Sequence, residues 1–381
     1  MSTETRGDAP VICVVGARPN YMKMAPIMRA LAAHQPSLRT LLVHTGQHYD
    51  AAMNDRLFAD LALPRPNVNL EVGSGSHAVQ TAEVMKRFEP VIDAHGARAV
   101  LVVGDVNSTL ACALVAAKRD VPVVHVESGL RSNDRRMPEE INRILTDQIS
   151  DILYTTERSA HANLAREGIP AERAVFVGNV MIDSLLANLP KAPPPVELLA
   201  AAGYGPERIA GGYGVVTLHR PSNVDHPQTL GPIIDALRDI SVRLPLVFAL
   251  HPRTRNNLDC FGMQDRLDLP GFIILPPQGY LEMLGLMASA SMVLTDSGGI
   301  QEETTALGVP CLTIRENTER PITVEQGTNT LVGVDPDALR AAAEAVLAGG
   351  GKRGRIPEYW DGRAAERIAA HLGSWLTAHE G

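Results

Sequence analysis

Short runs rich in Val, Ile and Leu recur along the whole chain, separated by longer segments with helical apolar periodicity. The runs cover residues 11–16, 38–46, 99–105, 121–128, 152–156 and 174–179, then 213–219, 245–251, 272–277, 291–297 and 309–314. Several are continuously apolar, the pattern of strands buried on both faces of a parallel sheet. The amphipathic segments between them supply the crossovers, so the expected class is α/β. After Asn188 the stretch LPKAPPPVELLAAAGYGPERIAGG, rich in Pro, Gly and Ala, shows no strand periodicity until Tyr213. It reads as an interdomain connection with a short helix. A chain of 381 residues exceeds what one core usually holds, so two domains are expected, 1–188 and 189–365. A final helix over 366–381 is expected to cross back to the first. Both domains read as doubly wound, facing a cleft lined by loops at the carboxyl ends of their strands.

Composition narrows the functional classes. Lys and Arg number 35 against 43 Asp and Glu, a net charge of −8. That sign disfavours a general nucleic-acid or anionic-membrane binder and leaves room for a local basic pocket taking a small anion. Cys13, Cys112, Cys260 and Cys311 have no close pairing, and three of them sit inside apolar runs. This predicts a reducing compartment without a disulfide framework. The N-terminal MSTETRGDAP lacks an apolar signal region, and no run approaches the roughly 18 apolar residues of a membrane span. The expected location is the cytoplasm.

The runs end in polar residues. The first leads into Ala17-Arg18-Pro19-Asn20 and a helix carrying Lys23; others end at Asp105, at Glu127-Ser128-Gly129 and at His219-Arg220. His251 and Asp296-Ser297-Gly298-Gly299 close two more. One polar strand end is ordinary loop chemistry, but six on one rim point to a site. Ser297-Gly298-Gly299 is the best phosphate candidate, because glycines admit close backbone approach and a helix start offers unpaired N–H groups. A plain Ser-capped helix entry would read the same way. Glu303 follows on that helix, where a carboxylate could hold vicinal ribose hydroxyls. Arg18 and Lys23 could neutralise a diphosphate.

Pro138 suits the first position of a helix in MPEEINRILTDQISD. The periodicity predicts a buried stripe of Ile141, Ile144, Leu145 and Ile149, with Glu139 and Arg143 sharing the opposite, polar face. With Asp105 and Glu127, Glu139 gives three carboxylates, enough for separate acid and base roles. The first strand-to-helix loop is neither GxGxxG nor GxxxxGK, so nicotinamide and Walker sites lose their main support. His125-Val126-Glu127 lacks a following PCxxC, and His44 with His48 lacks a zincin glutamate; no metal and no cofactor are expected.

In chain order, GARPNYMKMAP, TGQHYD, GDVNSTL, HVESGLRS, MPEEINR, VGNVMIDSL, TLHRPSN and DSGGIQEE with ENTERP resemble the motifs of the non-hydrolysing bacterial UDP-N-acetylglucosamine 2-epimerases. The resemblance runs from about Val11 to about Gly333. It implies two Rossmann-like domains in the glycosyltransferase-B arrangement, usually as a homodimer. It also implies interconversion of UDP-GlcNAc and UDP-ManNAc without metal or nicotinamide, the UDP-sugar being the only partner. Carried over by motif, Asp105, Glu127 and Glu139 look like the acid/base set, and His219 like a catalytic or diphosphate-contacting residue. Arg18, Lys23 and Arg143 are similar to substrate and phosphate contacts. Ser297, Gly298, Gly299 and Glu303 match the UDP-binding helix, and Arg320 in TERP sits where a sugar-side arginine is expected.

Two departures carry expectations of their own. Regulated members read QHR(Q/E) and HRRE where this chain has Gln47-His48-Tyr49-Asp50 and His219-Arg220-Pro221-Ser222, which implies loss of a second, allosteric UDP-GlcNAc site. The segment DRRMPEE, with Arg135 and Arg136, is similar to a branch acting on UDP-2,3-diacetamido-glucuronic acid, whose carboxylate suits extra arginines. The same motifs are also compatible with a hydrolysing epimerase releasing ManNAc, with a glycosyltransferase and with a nucleotide-sugar sensor.

Overall fold

The computed structural model describes residues 9–46, 58 and 60–379. The chain divides into two compact units, Met1–Ala187 with Glu358–Gly381, and Asn188–Pro357.

The first unit carries β1 (Val11–Val15), β2 (Thr40–His44), β3 (Val68–Asn69), β4 (Ala99–Val103), β5 (Val123–Ser128), β6 (Ile152–Thr155) and β7 (Ala174–Phe176). All pair in parallel, in the order β3-β2-β1-β4-β5-β6-β7. The longer helices between them are α1 (Arg18–His34), α2 (His77–His95), α3 (Asn107–Lys118), α4 (Pro138–Ile149), α5 (Ser159–Arg166) and α6 (Val180–Asn188). Ile12, Val14, Val100 and Val102 pack with Val84, Phe88 and Ala113 of α2 and α3 in one buried cluster. Near-complete burial of β1 and β4 explains why these segments read as unbroken apolar runs.

The second unit repeats the winding with β8 (Gly214–Thr217), β9 (Leu246–Ala249), β10 (Phe272–Leu275), β11 (Met292–Thr295), β12 (Cys311–Thr313) and β13 (Asn329–Leu331). Its parallel order is β10-β9-β8-β11-β12-β13. Its longer helices are α7 (Pro227–Ser241), α8 (Pro252–Cys260), α9 (Tyr280–Ala288), α10 (Gly298–Leu307) and α11 (Pro336–Ala345). Two clusters cover the two faces of this sheet. Val216, Phe248 and Leu294 pack with Ile233 and Leu237 of α7; Val215, Val247 and Val293 pack with Leu286 and Met287 of α9. Successive strand residues thus enter opposite cores.

Both sheets have Rossmann-like order, with the direction of winding reversing beside β1 and beside β8. Two strands fall outside the apolar runs: β3 has two residues, and β13 is the half-polar Asn-Thr-Leu. A last helix, α12 (Ala364–Ala378), belongs to the first unit, packs on α1, and is capped by Asp183 of α6. The Asp183 carboxylate accepts the N–H groups of Ala364 at 3.1 Å and Ala365 at 2.7 Å. Among the described residues no helix is long and apolar enough to cross a membrane.

Candidate functional site

In the first unit the polar residues gather at the carboxyl ends of β1, β4 and β5, beside the reversal of winding. Asn20 joins two of these ends. Its side-chain oxygen accepts the N–H of Ala17 at 2.9 Å, and its amide donates to the Val103 carbonyl at 2.9 Å. One turn on, the ammonium of Lys23 pairs with Glu127, and the two side chains are only 7% and 4% exposed. Glu127 holds a left-handed backbone, φ 69°, where the β5–β6 register shifts between Val126 and Ser128. A non-glycine residue in that conformation is strained, and such strain concentrates at functional positions. Gly104 (φ +69°) completes the corner: a Cβ there would lie 3.0 Å from the Lys23 ammonium. Arg18 opens α1, but its side chain lies outside the described residues, as do Gln47, His48, Tyr49 and Asp50.

Asp105 follows Gly104 and receives Nη2 of Arg143 at 2.5 Å. The same guanidinium donates through Nη1 to Glu140 at 2.6 Å. Glu140 is buried and also accepts the N–H groups of Ser132 (2.9 Å) and Asn133 (2.8 Å), tying down the loop before α4. This corrects the face expected for α4. Its buried side is the polar one, Glu140, Asn142, Arg143, Thr146 and Asp147, whereas Ile141 and Leu145 are 41% and 46% exposed. Arg143 reaches Glu140 and Asp105 rather than Glu139, which is half-buried on the neighbouring position. The reason is charge pairing: once its cations and carboxylates satisfy one another, a polar face can be the inner one.

In the second unit Asp296, at the end of β11, is the hub. Its carboxylate accepts the N–H of His219 at 3.0 Å, the N–H of Arg220 at 2.9 Å and Nδ1 of His219 at 2.9 Å. Burial alone would push Asp296 up, but the His219 ring and these N–H groups hold it below the usual carboxylate range. His219 is thereby oriented with its side chain 40% exposed. His251 caps α8 instead: its Nδ1 accepts the Arg253 N–H at 3.2 Å.

Helix α10 starts directly after Ser297, whose side chain makes no capping bond. The first-turn N–H groups at Gly298 and Gly299 therefore remain for a ligand. Beneath them lies a buried ion network. Arg320 pairs with Glu302 at 2.9 Å and Glu319 at 2.8 Å, and Arg315 pairs with Glu319 at 2.9 Å. Burial would raise Glu319, yet the guanidinium groups of Arg320, Arg315 and Arg220 hold it far below the usual range. A Cβ on Gly298 would lie 2.6 Å from Glu319 Oε1, so any side chain there would displace that carboxylate. Arg320 thus serves as a buried strut of this network. Glu303 behaves in the opposite way: burial pushes its carboxyl up to about 8, the Glu302 carboxylate adds to the rise, and the Tyr280 hydroxyl opposes it.

The structure brings together Lys23, Asp105, Glu127 and Arg143 in the first unit, and His219, Ser297, Gly298, Gly299, Glu303 and Arg320 in the second. Sequence reasoning missed Glu140, Asp147, Asp296 as a hub, and Glu319. Each sits close in sequence to a motif residue, and only tertiary contacts reveal its partner.

Fold and site together define a two-domain Rossmann-like protein, with carboxylate–cation pairs at the strand ends of one unit and a glycine-opened helix start without a side-chain cap in the other. The chain belongs to the UDP-N-acetylglucosamine 2-epimerase family, whose model matches residues 29–373. The UDP-N-acetylglucosamine 2-epimerase of Methanocaldococcus jannaschii is 42% identical over 362 residues, 94% of this chain and 97% of that protein. The UDP-2,3-diacetamido-2,3-dideoxy-D-glucuronate 2-epimerase of Pseudomonas aeruginosa is 40% identical over 369 residues, 95% of this chain and 99% of that one. The crystal structure of the M. jannaschii enzyme with UDP-GlcNAc and UDP superposes with a TM-score of 0.86 at 40% identity, covering 96% of this chain and 99% of that one.

Proposed function

We propose that this protein is an isomerase that inverts C2 of UDP-N-acetylglucosamine, giving UDP-ManNAc. The observation that carries the reading is the pair of carboxylates at adjacent strand ends, Asp105 and Glu127, each backed by a buried cation. Family membership supports it.

The chemistry follows from the substrate. The C2 proton of a hexosamine is not adjacent to a carbonyl, so simple deprotonation is too slow. Elimination solves this: a base takes the C2 proton while the C1–O bond breaks, and its electron pair leaves with UDP. The intermediate is a 2-acetamidoglucal. UDP then re-adds at C1 while an acid delivers a proton to the opposite face of C2. Asp105, Glu127 and Glu139 would supply the base and the acid between them. Lys23 and Arg143 would fix their charge and meet the sugar side. In the second unit, Ser297 and the N–H groups of Gly298 and Gly299 would stabilise the departing diphosphate, with His219 as a further contact; in the first unit, Arg18 would be a substrate contact. Glu303 would take the ribose hydroxyls, and Arg320 would hold the helix start in place.

The test is a proton NMR time course with UDP-GlcNAc in D2O. UDP-ManNAc carrying deuterium at C2 is the expected product. Free ManNAc with UDP would overturn the non-hydrolysing reading. A second substrate, UDP-2,3-diacetamido-glucuronate, is favoured by the Pseudomonas relative and by exposed Arg135 and Arg136 beside α4. Turnover of that sugar alone would replace the first assignment.

We also take the protein to be a cytoplasmic homodimer. Four unpaired cysteines suit a reducing compartment. The exposed Ile141 and Leu145 on α4 offer an apolar contact. Light scattering should give twice the chain mass, falling to one chain mass in Ile141→Glu/Leu145→Glu. A wild type that scatters as a single chain would refute this.

A further inference from the structure

We infer that His125 and Asp147 are positioning residues that set the two strand-end carboxylates, an inference that rests on the epimerase reading above. His125 lies within β5, fully buried, two residues before Glu127. Its Nε2 meets the carbonyl oxygen of Gly104 at 2.8 Å, the residue directly before Asp105. Its Nδ1 meets Oδ1 of Asp147 at 2.7 Å. The other oxygen of Asp147 accepts the N–H of Gly129 at 3.0 Å, two residues after Glu127. Each ring nitrogen thus faces an oxygen acceptor, a backbone carbonyl on one side and a carboxylate on the other.

One side-chain pair therefore grips backbone immediately before Asp105 and on the far side of Glu127. The gripped segments need it. Gly104, Glu127 and Gly129 all have left-handed backbones, with φ of 69°, 69° and 77°, and β5 slips register against β6 between Val126 and Ser128. Such corners relax unless their surroundings over-determine them. Arg131 locks Asp147 from behind at 2.7 Å and runs on to Glu167 at 2.6 Å, near the surface. None of these groups needs to touch the sugar; they act by fixing where the carboxylates point.

A pair serving stability alone would change the melting temperature and leave turnover per folded molecule intact. Positioning has another signature, because misplacement on the order of 1 Å can lower a rate about 100-fold without weakening binding. The test compares His125→Asn, His125→Gln and the isosteric Asp147→Asn, assayed as folded protein well below their melting temperatures. The readouts are kcat for C2 deuterium incorporation and KM for UDP-GlcNAc. His125→Asn and Asp147→Asn are expected to lose roughly 100-fold in kcat with KM within threefold of wild type. His125→Gln, whose amide reaches the Nε2 position and keeps the Gly104 bond, should recover part of that loss. Glu167→Gln, at the outer end of the chain of charges, should retain wild-type turnover. Folded Asp147→Asn exchanging at the wild-type kcat, or losses carried by KM alone, would overturn the inference. A wild type that exchanges nothing at C2 of either UDP-GlcNAc or UDP-2,3-diacetamido-glucuronate would instead overturn the epimerase reading beneath it.

Discussion

Glu127→Gln is expected to lower turnover by about 10²–10⁴-fold, the range for removing a positioned acid or base. It should also destabilise the first unit, because the Lys23 ammonium, 7% exposed, would keep its charge and lose its partner. Breaking a buried pair from one side costs roughly 3–5 kcal/mol. Lys23→Met combined with Glu127→Gln removes both charges and should restore most of the melting temperature, since replacing a buried pair by apolar volume is often near neutral. Turnover should not return with it. Thermal unfolding and C2 exchange measured on the three proteins separate the two effects. If the double variant regained turnover along with stability, Glu127 would be a structural partner of Lys23 and nothing more.

Glu303→Gln is expected to stabilise the ligand-free protein at alkaline pH. The folded-state pKa of Glu303 is raised to about 8. Between its unfolded value near 4.5 and 8 the folded state therefore binds the extra proton, and stability falls as pH rises through that window. The slope is roughly 1.4 kcal/mol per pH unit where the difference is complete. At pH 9 the buried carboxylate is charged, with Oε1 lacking a well-placed hydrogen-bond donor. Glu303→Gln removes that charge and should melt roughly 5–10 °C higher than wild type at pH 9, with little difference at pH 5. UDP should narrow the gap, since ribose hydroxyls would give the carboxylate donors. Identical melting of the two proteins at pH 9 would sink the claim that Glu303 is held in an unmet, high-pKa state.

Much of the fold was readable because both sheets bury their strands on two faces, which writes continuous apolar runs such as VICVV and MVLT into the chain. Strand β13 escaped because Asn329 is a buried polar residue, bonded to Thr313 at 2.6 Å and Gln301 at 2.9 Å, and leaves no apolar trace. The site was legible wherever a polar residue closed an apolar run, as at Asp105, Glu127 and Ser297. It was illegible where charges satisfy one another inside. Apolar periodicity assigned α4 the wrong inner face, since Arg143 pairs with Asp105 and Asp147 with His125, partners 38 and 22 residues away in sequence. Asp296 was visible as part of a phosphate loop, but its grip on His219 and Arg220 spans more than 70 residues.

The first unit is sewn from both ends of the chain, and that has a consequence for synthesis on the ribosome. Until Ala364–Ala378 emerges, α1 lacks the helix that packs on it and the Asp183 carboxylate lacks its two N–H donors. About 170 residues of the second unit are translated in between. At roughly 5–20 residues per second this is a delay of about 10–30 s. The unit begun second can therefore mature first, and the nascent first unit waits with an uncovered apolar flank, the kind of surface that chaperones bind.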